Sequence, residues 1–434
     1  MCRDFLGSGS IWGPGRGSSV LFRSPDGGRW VLGAFIDIPT TADNEIIVRG
    51  AGPSGAGSAL VVREGSATGD GQFPGELFND ITERMAVNNS GDVYFSNNTS
   101  AATASDQVIF RASAGAFTAQ AREGQATGSI ANTNWGAGLN AIGVTSSDEL
   151  SFLSSTLTGT GVTAATNAGL FRAGGGTVVA QKGVTIPGGA GTAWELFDAD
   201  DFFVSADGLN TIAKGDISGD TTKDDIVVLN GTAVLFEGSI IPGSGFTSPI
   251  AAGGTAEIGM SVNGDWFAQG SNADGMDWVL RNGSVIAMTD DLVPGGLPGE
   301  TWDDAPFASN FFFMTGNGNG DMVVGGTTSN PDTTQNAVLV YGNAALGLTS
   351  VLLREGDAVD VDGNGLTDDN AFISVFNNFD GFLLEDGRLY FTADLRDSGG
   401  ASIGQAFLSV AVPSPGGAAA IGVCALAIAS RRRR

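Results

Sequence analysis

The residues of this chain best suited to chemistry are oxygen donors set at alternate positions. Asp360, Asp362, Asn364 and Asp368 place side-chain oxygens along one short loop, Asp360-Val361-Asp362-Gly363-Asn364-Gly365-Leu366-Thr367-Asp368, and Leu366 can add its backbone carbonyl. Hard cations such as calcium take six to eight oxygens, and alternating carboxylates, a turn Gly, one carbonyl and a last carboxylate meet that demand within a single loop. A second loop, Asp216-Ile217-Ser218-Gly219-Asp220-Thr221-Thr222-Lys223-Asp224, has the same spacing. There Asp216, Ser218, Asp220 and Asp224 stand at ligand positions and Thr222 at the carbonyl position. The expected cofactor is therefore structural calcium. The plain alternative for each loop is an acidic surface turn.

Neither loop has the surroundings of an EF-hand, since no helical periodicity flanks it. The pattern resembles the calcium loops of FG-GAP propeller repeats, in which a short acidic turn joins two strands. That resemblance implies a structural cation between strands of a β-propeller.

Other catalytic apparatus is sparse. The chain has 434 residues and no His, which removes imidazole bases and His-containing triads. Carboxylate-only chemistry remains open, because glycosidases need two acids at a suitable separation. Ser24-x-Asp26-x-Gly28-x-Trp30 looks like the Asp box of sialidases, with its Trp one residue early. A carboxylate-dependent glycan hydrolase is the alternative reading, and whether the chain is an enzyme stays open with the balance toward no. With 47 acidic and 21 basic residues the formal net charge is -26. Such a surface repels phosphate backbones, so nucleic acid is not an expected partner. Only Cys2 and Cys424 occur, so a disulfide framework or a cysteine zinc site inside the body is excluded.

The elements that must carry these loops are strands. Val87-Asn88-Asn89-Ser90-Gly91-Asp92-Val93-Tyr94-Phe95 reads as strand, polar turn, strand. Versions of it recur about every sixty residues. They are found at Ser24–Trp30, Ser146–Leu150, Ser205–Leu209, Val262–Trp266, Asn317–Asp321 and Glu385–Leu389. A second hairpin follows each of the first six, its first strand often ending in Arg, as in Val108-Ile109-Phe110-Arg111. Its second strand closes on Arg63-Glu64-Gly65 and related triplets. Four strands per unit, repeated radially, predict an all-β fold: a β-propeller of seven blades, with six as the alternative. The last unit has one unpaired strand, Ala406–Val410, and the segment Phe5–Trp12 is expected to complete it. Phe202, Phe203, Phe311, Phe312, Phe313, Trp135, Trp194 and Trp302 are expected between blades as core.

The hairpin's Asn88-x-x-Gly91-x-x-x-Phe95 resembles the NxxGxxxF tandem-repeat proteins of bacteria, which implies an exported repeat protein. Residues 1–411 form the predicted repeat domain and 412–434 a separate tail. In the tail, Val412-Pro413-Ser414-Pro415 precedes an apolar run that ends in Arg431, Arg432, Arg433 and Arg434. As a helix the run would span about 22 Å, short of the roughly 30 Å hydrocarbon core. The tail resembles the PEP-CTERM sorting signal, with Ser414 where that family has Glu. The resemblance implies a short apolar C-terminal helix, transient membrane attachment, and cleavage by an exosortase-type enzyme. It also implies an export signal ahead of Met1. The expected protein is thus exported to the envelope, cell surface or exterior. Its expected role is non-enzymatic, structural or binding, with extracellular polysaccharide or envelope proteins as partners.

Overall fold

The computed structural model describes residues 20–36, 43–52, 58–69, 71, 73–303, 310–361, 365–413 and 423–426. Among them, seven four-stranded antiparallel sheets follow one another along the chain: blades 1 to 7, over residues 20–63, 78–122, 139–181, 202–236, 250–288, 311–354 and 372–426. In every sheet the strands pair in chain order. The first strand of each blade packs beside the first strand of the next, and that of blade 7 returns to blade 1. The sheets therefore close into a seven-bladed β-propeller with first strands innermost.

The core is divided among the seams. Seven apolar clusters are present, and each joins two neighbouring blades. The alternating strands present one apolar side to each neighbour, so every blade is buried on both faces, as radial packing demands. Ring closure uses the same device: Leu21 and Trp30 of blade 1 pack on Phe382, Tyr390 and Phe407 of blade 7. Trp30 meets Phe407 edge-on at 5.1 Å between centroids. The expected core aromatics follow suit, with Trp135, Trp194, Trp302, Phe202, Phe311 and Phe313 all buried and Phe203 and Phe312 half-buried.

The tail departs from expectation. Val423–Leu426 is a strand paired with Phe407–Val410, where a short helix was expected. A run this short, interrupted by Gly416, Gly417 and Gly422, gains little as a helix. As a strand it satisfies an edge that would otherwise stay unpaired. It also takes the place expected for Phe5–Trp12, a segment outside the described residues. No helix among the described residues is long and apolar enough to cross a membrane.

Candidate functional site

One end of the ring is built from the seven hairpin turns between the first and second strands. In all seven the fourth residue has positive φ and donates its N–H to the carbonyl of the first. Six use Gly there: Gly27, Gly91, Gly208, Gly264, Gly320 and Gly387. Blade 3 uses Asp148 at φ 67°, a conformation that Asp tolerates better than most residues. Its carboxylate accepts from Asn88 Nδ2 at 2.7 Å and Tyr94 Oη at 2.9 Å, and pairs with Arg111 at 2.9 Å. Where the repeat loses its glycine, the replacement clamps blade 3 to blade 2.

The turns are joined in sequence around the ring. Asp26 donates its N–H to Asn89 Oδ1, Asn88 reaches Asp148, Ser146 donates to the Ala206 carbonyl, and Ala206 to the Val262 carbonyl. Asn263 reaches the Gly318 carbonyl at 3.4 Å and Asn317 the Leu384 carbonyl at 2.9 Å. Arg23 of blade 1 closes the circuit on the Leu383 carbonyl at 2.6 Å, with Glu385 at 3.5 Å. Arginines at or near the ends of the third strands serve the same face. Arg111 pairs with Asp92 at 2.6 Å, Arg172 with Glu149 at 2.6 Å and Arg281 with Asp265 at 2.5 Å. Burial alone would raise the Asp92 and Asp265 carboxyls, but hydrogen bonds from Arg111 and Arg281 hold both below the usual range.

The opposite face carries the connections between blades. Gly65, Gly124, Gly183, Gly238, Asp290 and Gly356 each donate an N–H to the residue entering the next blade: Phe78, Trp135, Trp194, Ile250, Trp302 and Ile373. The preceding residue often caps its own blade, as when Glu64 Oε2 accepts the Asn44 N–H and Thr289 Oγ1 the Asp277 N–H. These triplets lock one blade to the next.

Both predicted cation loops lie on this second face. In the first, Asp360 is only 1% exposed and its carboxylate accepts the Gly365 N–H at 2.7 Å, with Gly365 at φ 86°. Asp369 reaches back to the Val361 N–H, while Asp368 and Leu366 are exposed. The loop thus closes through Asp369, one residue beyond the expected carboxylate. Asp362 and Asn364 lie outside the described residues. In the second loop Asp220, Ser218 and Thr222 are exposed, and the Asp220 carboxylate is engaged by the Thr222 N–H at 3.1 Å and hydroxyl at 2.8 Å. Burial and the nearby Asp224 raise the Asp216 carboxyl. Glu237, of the triplet that ends blade 4, is drawn into the same acidic group, its carboxyl raised by burial and by Asp224. Among the described residues no three acidic side chains converge to hold a metal ion.

A buried charge cluster at the seam of blades 4 and 5 has no counterpart among the motifs of the sequence. Lys214 pairs with Asp198 and stands 3.5 Å from Asp201 Oδ2, while Asp201 and Asp225 are 5% and 7% exposed. Each of these two carboxylates keeps one buried oxygen without a hydrogen-bond partner. Burial outweighs the single ammonium, which several acids share, and pushes Asp201 to about 7 and Asp225 to about 6. Glu257 of blade 5 adds a further negative neighbour, itself raised by burial. This arrangement can hold a proton near neutral pH.

Of the sorting residues, Val412 and Pro413 are described. Val412 is buried and donates its N–H to the Gly387 carbonyl at 2.8 Å, so the chain leaves the ring on the turn face. Ser414, Pro415 and Arg431 to Arg434 lie outside the described residues.

A family of unknown function, DUF7453, matches residues 27–224, less than half of the chain. No curated protein matches the sequence. Solved structures similar to it include the Dos1 propeller, at 12% identity and TM-score 0.39, covering 88% of this chain and 91% of that one. A puromycin hydrolase is similar at 10% identity and TM-score 0.46, covering 92% and 53%, so this chain spans about half its length. A GH74 xyloglucanase from Xanthomonas campestris is similar at 11% identity and TM-score 0.32, covering 89% and 72%. None of these likenesses carries an inference about activity.

Proposed function

We propose that this β-propeller is exported to the cell envelope, surface or exterior and has a non-enzymatic structural or binding role there. In this reading the stretch from Val412 to Pro415, with Arg431 to Arg434, is a PEP-CTERM-like sorting signal that holds the chain at the membrane until an exosortase-type enzyme cuts it. The observation that carries the reading is where the chain leaves the ring. Among the described residues, a cut just beyond the buried Val412 removes the outer strand Val423–Leu426 and leaves the other strands of blade 7 in place. All seven seam clusters stay on the retained side of the cut. A ring held by packing and turn-to-turn hydrogen bonds needs no cystine bridge outside the cell.

The non-enzymatic role is supported by what the carboxylates already do. Asp92, Asp148 and Asp265 are held by arginines at the turn face, and Asp201 is buried beside Lys214. Extracellular polysaccharide or envelope proteins are the proposed ligands. Replacing both Pro413 and Pro415 by Ala should leave a full-length form in the membrane fraction, where the native tail yields a shorter, released one. Equal size and location for the two forms, by mass spectrometry and fractionation, would refute the sorting signal.

Calcium is proposed for the loop from Asp360 to Asp369. Support comes from the buried Asp360 carboxylate, turned inward on the Gly that such a loop needs for its sharp bend. A site of about 0.1 mM should stabilise the fold by about 1.4 kcal/mol at roughly millimolar calcium. For a chain of this length that is a rise of about 1–2 °C in Tm. Asp360→Asn keeps an oxygen for the Gly365 N–H but loses the charge, so it should abolish the rise. An equal rise in the variant would remove calcium from this loop.

A further inference from the structure

Exposed aliphatic side chains gather on one end of the ring. Leu77, Val184, Ile186, Ile240, Leu292 and Leu297 are exposed on connections between blades, on the face opposite the hairpin turns. The turns themselves, among the described residues, expose Leu209 and Leu346. Beside the connection from blade 5 to blade 6, a cleft of ≈ 500 Å³ runs along the outer strands of the two blades. Ile286, Pro294 and Leu348 line it, Leu292 stands at its edge with 67% exposure, and Asp290 and Asp291 form an acidic rim. The ion pairs of these two blades lie elsewhere, Arg281 with Asp265 and Arg354 with Glu300, and leave both rim carboxylates to solvent or a partner. Asp290 occupies, at φ 68°, the place that the other five connections give to Gly. Burial, with the adjacent Asp290, also raises the Asp291 carboxyl.

Charge decides what could cover such a cleft. A second copy of a chain with net charge -26 would set acid against acid, and an anionic surface would do the same. A cationic partner meets the rim with opposite charge and the floor with its apolar portion. We propose that this cleft docks a basic amphipathic segment of another protein, its aliphatic side chains on Ile286, Leu292 and Leu348 and its Lys or Arg groups on Asp290 and Asp291. The inference deepens the binding role proposed above and rests on it. Its test reads the cleft alone, so failure here would leave the sorting signal and the calcium loop standing.

The test measures fluorescence anisotropy of the full chain with three short labelled peptides of equal length: alternating Lys and Leu, alternating Lys and Ser, and alternating Glu and Leu. The Lys/Leu peptide should bind at least about tenfold more tightly than either other peptide, a difference of about 1.4 kcal/mol. Leu292→Ser should weaken it by a similar factor. The pair Asp290→Asn and Asp291→Asn should weaken it and flatten its salt dependence. Leu209→Ser, on the turn of blade 4, should change nothing. Binding within twofold of wild type in Leu292→Ser, or a Lys/Ser peptide that binds as well as Lys/Leu, would overturn the proposal, because diffuse attraction to an acidic surface would then explain the result. Leu292 and Leu209 are both exposed, so neither substitution threatens the fold.

Discussion

The protein should be more stable to denaturant at pH 5 than at pH 7.5, and Asp201→Asn should remove most of that difference. Asp201 has a folded-state value of about 7 because burial opposes its charge more than Lys214 favours it. In the unfolded chain an Asp titrates near 3.9. Between those values the folded state keeps a proton that the unfolded state has lost, so stability is full at low pH and declines as pH rises toward 7. Asp225, at about 6, acts in the same direction over a narrower window. From pH 5 to 7 the Asp201 contribution is about 2 kcal/mol, allowing for the attraction of Lys214. The variant keeps a neutral side chain at all pH values, so its remaining slope reflects Asp225, Glu257 and other acids. Urea unfolding at the two pH values decides the matter. Equal slopes in both proteins, or stability that rises with pH in the wild type, would mean that Asp201 is charged in the folded state.

Trp194→Ala should cost about 3–5 kcal/mol, the usual range for deleting a large aromatic from a packed interior. Trp194 is 2% exposed in the seam of blades 3 and 4, where its ring lies 4.9 Å from that of Phe197. Its carbonyl also receives the Gly183 N–H at 2.7 Å, so the residue sits where packing and backbone locking coincide. Spread over the unfolding entropy of a chain this long, the loss lowers Tm by only about 4 °C, which makes chemical denaturation the better assay. Leu209→Ala, at a side chain 78% exposed on a turn, should stay within about 0.5 kcal/mol of wild type. A cost below about 1 kcal/mol for Trp194→Ala would show that the seams do not hold the ring.

The repeat was legible because each blade needs the same two bends, and a bend at positive φ writes Gly into the chain. Gly91 and Gly320 announce their turns, and Trp135, Trp194 and Trp302 announce their seams by their phase in the repeat. The third turn was faint for a chemical reason: Asp148 fills the glycine's conformation and brings a clamp with it. The closing strand of blade 7 is hard to read because an apolar run rich in Gly and Ala suits several conformations, and only the open edge at Phe407–Val410 selects the extended one. At the candidate sites, the oxygen spacing of the Asp360 loop could be read directly. That Asp369 closes it could not, since which of two adjacent acids points inward depends on the strands that flank them. The Lys214 cluster left no trace at all. Its members come from the connection ahead of blade 4 and from strands of two blades, and folding alone makes them neighbours.

Each sheet among the described residues is drawn from one uninterrupted stretch of chain, with no strand exchanged between the two termini. Most joints in the ring are therefore bridged by covalent backbone, while among the described residues the joint between the opening and final sheets is sealed by side chains such as Trp30, Phe407 and Arg23. Under mechanical load or partial unfolding, that joint is the natural clasp: it can part without breaking any ladder, and the circle then springs into an open arc.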